Sequence, residues 1–339
     1  MADPIKKLRG MRGRESRLMR WATYASTATA LTLIVAKTGA WFATESVAML
    51  SSLIDSLLDS FASLVTLIAV RQALTPADAD HRFGHGKAEP LAAMMQAGFI
   101  AGSAALLLIE AIDRLIDPQP VTQTEIGLAV MTLSVVLTLA LVSFQTYVVR
   151  RSKSVAIQAD SVHYKADLLA NVGVMLALVA SGFFGLTLVD PLFGIAIAAY
   201  ILKGAWDIGG DAFNMLMDRE LPDEERERIK EIALGYSGVL GVHDLRTRRS
   251  GPDVFIQMHL DLNGALSLNR AHTIADAVEK DVMERFPGAE VFVHQDPVTP
   301  ESPPDVTDRD QEDSAGLRAV AHPPTPGRDD QSDEEGRER

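Results

Sequence analysis

Six apolar stretches, near residues 21–43, 48–72, 91–115, 125–149, 155–185 and 189–210, are each long enough to cross a hydrocarbon core of about 30 Å. A chain with six such stretches has few folds open to it. Lipid offers no hydrogen bonds to a peptide backbone, so each stretch must satisfy its own N–H and C=O groups, and a six-helix transmembrane bundle is the expected outcome. The 339 residues are 47% hydrophobic and contain no cysteine. Disulfides and thiolate metal sites are thereby excluded. Any metal must be held by His, Asp, Glu or backbone oxygen, a donor set that favours borderline-hard divalent cations over Cu(I).

Charge along the chain sets the orientation. The first 20 residues carry seven Lys/Arg against two acids and run straight into an apolar stretch of spanning length, with no small-residue cleavage site. Arg71, Arg82 and Lys87 lie between the second and third stretches, and Arg150, Arg151 and Lys153 between the fourth and fifth. The other connections lack Lys and Arg. The positive-inside rule then puts both termini in the cytoplasm of a bacterial inner membrane, with the chain passing the bilayer several times. Lys37, near the outer end of the first stretch, is expected to snorkel and to have no special role.

Four regions follow: a basic N-terminus over 1–20, a six-helix transmembrane domain over 21–210, a cytoplasmic α+β domain over 211–298, and an acidic tail over 299–339. The third reads helix–strand–strand–helix–strand. "LPDEERERIKEIALGYS" is amphipathic with an acidic first turn, and "FIQMHLDL" alternates with period two. "LSLNRAHTIADAVEKDVMERFP" carries Ala271, Ile274, Ala275, Val278 and Val282 on one helical face. The tail, with twelve acids and five bases after Thr299, is expected to be disordered and solvated.

The second stretch holds two acids, Asp55 and Asp59, where a carboxylate costs roughly 2.5–3.5 kcal/mol on insertion scales. Four residues apart, they share a helical face with Ser52, Ser56, Ala62 and Ser63. Small polar residues favour close helix packing, so this face points into the bundle. In the fifth stretch His163 and Asp167 repeat the spacing, with Asp160 and Asn171 nearby. Two such pairs on facing helices can close a four-ligand tetrahedral cage suited to zinc. Three carboxylates without metal attract protons, and metal competing with protons for the same atoms is a basis for exchange.

Two further groups have metal-ligand chemistry. The loop "TPADADHRFGHGKAEP" offers Asp78, His81 and His85; it lacks the frame and preceding strand of a phosphate loop. The soluble region gathers His243, His259, His272, His294 and Asp296, with His259 on the polar face of its strand and His294 and Asp296 on a shared face.

The motifs "SLIDSLLDS", "PADADHRFGHGKAE", "DSVHYKADLLAN", "LMDRELPDEER", "HDLRTRRSGP" and "VHQDP", in that order, resemble the cation diffusion facilitator family, in particular its bacterial branch of zinc and ferrous-iron exporters. The resemblance runs from about Arg12 to Val298. It implies a transport site at Asp55, Asp59, His163 and Asp167, and a loop site at Asp78, His81 and His85. It also implies a metallochaperone-like cytoplasmic domain whose binuclear site uses His243, His259, His294 and Asp296, with His272 as a further ligand. Lys87 and Asp218 match positions of a charge interlock at the family dimer. The implied activity is a homodimer exchanging zinc or ferrous iron, with cadmium as a mimic, for protons by alternating access. Manganese or cobalt export and a non-transporting metal sensor or scaffold are the alternatives. An enzyme is not expected, since no nucleophile or H-E-x-x-H accompanies the quartet, and no nucleic-acid partner is expected either.

Overall fold

A computed structural model describes residues 4–45, 47–116, 125–184 and 189–299. Among these, six long helices precede a small α+β domain: α1 (Pro4–Thr44), α2 (Val47–Ala73), α3 (Ala88–Ile116), α4 (Glu125–Ser152), α5 (Val155–Phe184) and α6 (Val189–Leu216). Each has at least 27 residues, about 40 Å of helix at 1.5 Å per residue. Four of them, α2, α3, α4 and α6, contain a long apolar window with few charges among the described residues. Polar residues dilute the apolar signal in α1. α1 begins at Pro4 and carries the basic stretch within the helix, so it starts well before the expected residue 21. Proline suits a first helical position because its missing N–H has no helical partner there. α6 likewise runs to Leu216, past the expected 210.

The helices sort into two groups. α1 packs on α2 and α4, and α4 on α5, whereas α3 packs most extensively on α6. Alanines allow the close approach within the second pair: Ala93 and Ala97 of α3 meet Ile208 and Ala212 of α6. Large apolar side chains such as Val35, Leu58, Ile68, Leu106 and Val136 project outward, as a lipid-facing surface requires.

After Leu216 the chain turns sharply. Asp218 adopts a left-handed conformation (φ 56°), which ends α6 and leads into α7 (Asp223–Leu234), β1 (Val239–Ser250), β2 (Asp253–Asn263), α8 (Leu268–Arg285) and β3 (Ala289–Val298). The sheet order is β1-β2-β3, with β1 and β2 antiparallel and β2 and β3 parallel. Ile256, Met258, Leu260 and Leu262 bury one face of β2 against Ile229 and Ala233 of α7 and Ile274, Val278 and Val282 of α8. The period-two reading of β2 and the helical face of α8 therefore hold. Only Thr299 of the acidic region falls within the described residues; the rest of the expected disordered tail lies outside them.

The two regions meet where the α2–α3 loop sits on the β1–β2 hairpin. A Cβ on Gly86 would run into the carbonyl of Ser250, and Gly251 (φ 57°) approaches the Gly86 carbonyl just as closely, so both positions require glycine. Arg248 stacks between Phe83 and Phe255, 5.2 and 4.7 Å from their ring centres.

Candidate metal centre

Three groups of potential ligands come together. In the first, Asp59 of α2 meets His163 and Asp167 of α5, their ligand atoms all within 4.8 Å of one another. His163 Nε2 lies 2.9 Å from Asp59 Oδ1 and 3.8 Å from Asp167 Oδ2. The helical period brings His163 and Asp167 onto one face, and Ser56 and Ser63, buried on the same side of α2, allow the two helices to approach. A hydrogen bond between Nε2 and Oδ1 requires a proton between two atoms that are also the best metal ligands. Metal binding through both atoms must expel it.

Asp55 stands one turn from Asp59 and is not brought into this close group. A cation lies beside it instead. Lys37 Nζ donates to Ser52 O (3.1 Å) and Ser56 Oγ (2.6 Å), on the turn of α2 that carries Asp55. The snorkelling expected for Lys37 is thus overturned. Its ammonium turns inward because α2 offers it a carbonyl, a hydroxyl and nearby carboxylates. A cation here balances part of the local negative charge.

The second group, Asp78, His81 and His85, occupies the α2–α3 loop. Asp78 Oδ1 accepts the backbone N–H groups of His81 (2.7 Å) and Asp80 (3.0 Å), forming an Asx-type turn. The bond from His81 and then that from Asp80 hold the Asp78 carboxyl below the usual carboxylate range. The imidazoles of His81 and His85 lie 3.4 Å from its two oxygens, and their rings are 4.5 Å apart. His85 faces this group through Nε2, while its Nδ1 is buried without a hydrogen-bond partner.

The third group spans the sheet. Register places His243 opposite His259, His259 opposite His294, and Asp261 opposite Asp296. His259 Nδ1 lies 2.8 Å from Asp296 Oδ2, and His243 Nε2 3.4 Å from the same oxygen, which makes His243, His259 and Asp296 the close set. The donors, two imidazoles and a carboxylate, fit a zinc-type ion, and His243 Nδ1 on the other side of its ring lies 3.4 Å from Asp261 Oδ1. His294 stays at the rim, 65% exposed, with Nε2 3.2 Å from Asp296 Oδ1. His272, 66% exposed on α8, pairs with Asp276 at 3.5 Å and joins no group. Asp244 was missed from sequence: a left-handed residue (φ 47°) at an irregularity of β1, it lies 3.8 Å from His259 Nε2.

Lys87 and Asp218 meet as expected of an interlock, here within one chain, at 3.0 Å, and Arg248 joins Asp218 at 3.3 Å. Partial burial alone would raise the Asp218 carboxyl, but the bonds from Lys87 and Arg248 outweigh it and hold the group below its ordinary value.

The family model described as "Cation efflux transmembrane domain" matches residues 23–217, and that described as "Cation efflux protein, cytoplasmic domain" matches 221–298. Cation-efflux pumps FieF are similar over most of their length. That of Shewanella oneidensis MR-1 is 50% identical over 280 residues, covering 83% of this chain and 94% of the relative. That of Pectobacterium carotovorum PC1 is 48% identical over 284 residues, covering 84% and 94%. A solved structure titled for the mode of action of CzrB is 37% identical and covers 23% of this chain and 99% of that one, with a TM-score of 0.23. With both halves of its architecture matched in order, the chain belongs to the cation diffusion facilitator (cation efflux) family, among relatives of the FieF type.

Proposed function

We propose that this chain is a metal-efflux antiporter that moves zinc or ferrous iron out of the cytoplasm in exchange for protons, as a homodimer working by alternating access. The partly buried Asp59–His163–Asp167 group between two membrane-length helices carries this reading. Intramembrane ionisable groups mark ion pathways by default. Here the proton shared by His163 and Asp59 occupies the atoms a metal needs, so loading and protonation exclude each other. Asp55 completes the cage as fourth ligand when metal enters. The cation-efflux names of the relatives support the direction of transport. The soluble domain lies at the end of the bundle where Arg71, Lys87 and Arg151 cluster, which supports a cytoplasmic location for it and for both termini.

The loop and sheet groups bind metal without moving it across the membrane. Metal at His243, His259 and Asp296 tightens the homodimer and biases the membrane region, a coupling between two sites. The test of transport is a panel of zinc, Fe(II), Mn(II), Cd(II) and cobalt in proteoliposomes under imposed pH gradients. Metal should move against its gradient as protons run down theirs. A chain that binds metal at Asp59, His163 and Asp167 yet moves none under any gradient is a sensor or scaffold, and the transport reading fails.

A further inference from the structure

A buried carboxylate at the centre of the bundle lies outside all three metal groups. Asp160, 1% exposed on α5, sits one turn before His163, nearer the soluble domain. Its Oδ2 accepts Ser26 Oγ of α1 and Gln145 Nε2 of α4, both at 2.6 Å, and its Oδ1 accepts Gln96 Nε2 of α3 at 3.3 Å. Gln96 Oε1 accepts in turn from Thr66 of α2 at 2.8 Å. Ser63 of α2 lies 3.0 Å from Ser26 and 2.9 Å from the Tyr164 hydroxyl. Proton counting gives this chain a direction. Ser26 has one hydroxyl proton and the carboxylate has none, so Ser26 donates to Asp160, Ser63 to Ser26, and Tyr164 to Ser63. A single carboxylate thus organises five helices in a fully buried network, where each lost bond strands a polar group.

Among the described residues, this network crosses the boundary between the two helix groups near the soluble domain. Gln96 belongs to α3, in the α3/α6 pair, while Asp160 and Thr66 belong to the other four helices. At the same end Ser154, at the start of α5, donates to the buried Glu89 of α3 at 2.8 Å. Farther from the soluble domain, Gly173 of α5 packs directly on Ile197 of α6, an apolar contact. Apolar surfaces slide with little directional penalty, whereas hydrogen bonds must break.

We propose that Asp160 is a positioning residue, the hub of a polar latch that holds the α3/α6 pair against α1, α2, α4 and α5 at the cytoplasmic end, and whose release sets the rate at which the metal site changes access. This rests on the alternating-access reading above and assigns to this carboxylate a role apart from metal binding. Gln96 is the movable arm, because it bonds both α5 and α2 across the boundary.

The chain has no cysteine, so Ala93→Cys, buried between α3 and its neighbours beside this arm, provides a single thiol in the full-length protein. Labelling by a water-soluble maleimide in proteoliposomes should be slow in that background. Adding Gln96→Leu removes two buried hydrogen bonds, with Asp160 and Thr66, and should speed it about tenfold or more. Zinc affinity without a gradient should stay unchanged while maximal flux changes at constant half-saturation. Thr66→Val, a milder break, should give about threefold. The double substitution Asp160→Asn with Gln96→Glu moves the carboxylate to α3 and the amide donor to α5. It keeps the bond reversed and should return labelling to the starting rate. Native labelling rates in both single variants with unchanged melting temperature would overturn the latch, as would a folded double variant that stays open. Absence of flux in the parent protein would instead refute transport, while the labelling result still decides the latch.

Discussion

The membrane and soluble metal groups use the same donors, imidazole and carboxylate, on opposite kinds of scaffold. Asp59 belongs to α2, whereas His163 and Asp167 belong to α5, and no backbone hydrogen bond joins the two helices. The soluble group sits on three hydrogen-bonded strands, with His243 against His259 against His294. Helices of a bundle can shift as units and carry half a site with them. Neighbouring strands cannot separate without breaking a ladder of bonds. The first scaffold lets its ligands move apart with their helices, whereas the second keeps its ligands at fixed spacing.

The comparison breaks most readily at Asp59. Asp59→Ala should reduce zinc flux in proteoliposomes by about 100-fold or more, since even groups behind metal ligands typically contribute 10–100-fold. Asp55→Ala should cost less, because Asp55 lies outside the close group; equal losses would place the two acids on the same footing. Circular dichroism should show both variants folded.

Replacing His259 and Asp296 together by alanine should weaken metal binding by the isolated-chain titration about 10–100-fold. Flux at saturating metal should persist, with the response shifted to higher metal concentration. An unchanged response curve would remove the regulatory role of the soluble group.

Lys37→Gln tests the cation found beside the membrane group. Removing a positive charge near three carboxylates should raise zinc affinity about tenfold, a modest fraction of what Coulomb's law allows at short range. Calorimetry at fixed pH reads this directly, and a lowered affinity would mean that Lys37 organises α2 rather than opposing metal.

The smallest effect belongs to the junction between regions. Lys87→Ala removes a half-exposed ion pair worth about 0.2–1 kcal/mol, so thermal stability should fall slightly. Asp218 has its folded pKa depressed, so its contribution is present above the unfolded value and lost only as pH falls through the folded one. Between pH 5 and 8 the junction should therefore be insensitive to pH, as crosslinking between the loop and the β1–β2 hairpin can check.

Much of the site was legible in residue spacing. Helical period alone put His163 beside Asp167, and strand period put His259 on the polar face and His294 with Asp296. Less legible were Lys37, whose charge suggested an escape to water, and Asp160, whose partners are isolated Ser, Thr and Gln residues on four other helices. Gln96 and Gln145, polar amides within apolar stretches, were the available signal for that network. His272 had suitable chemistry, but composition cannot say which side chains a fold turns toward one another within one chain.

Local physics determined the elements of this protein. Apolar length, charge at the flanks and period-two or 3.6-residue patterns depend on neighbours within a few turns, and they placed the six helices, the three strands and the pairs of ligands. Only the tertiary structure decided which pairs meet, that Asp55 stands apart, that Lys37 turns inward and that Asp160 joins five helices. Those outcomes depend on contacts between residues up to 134 positions apart, such as Ser26 and Asp160, whose geometry no local pattern carries.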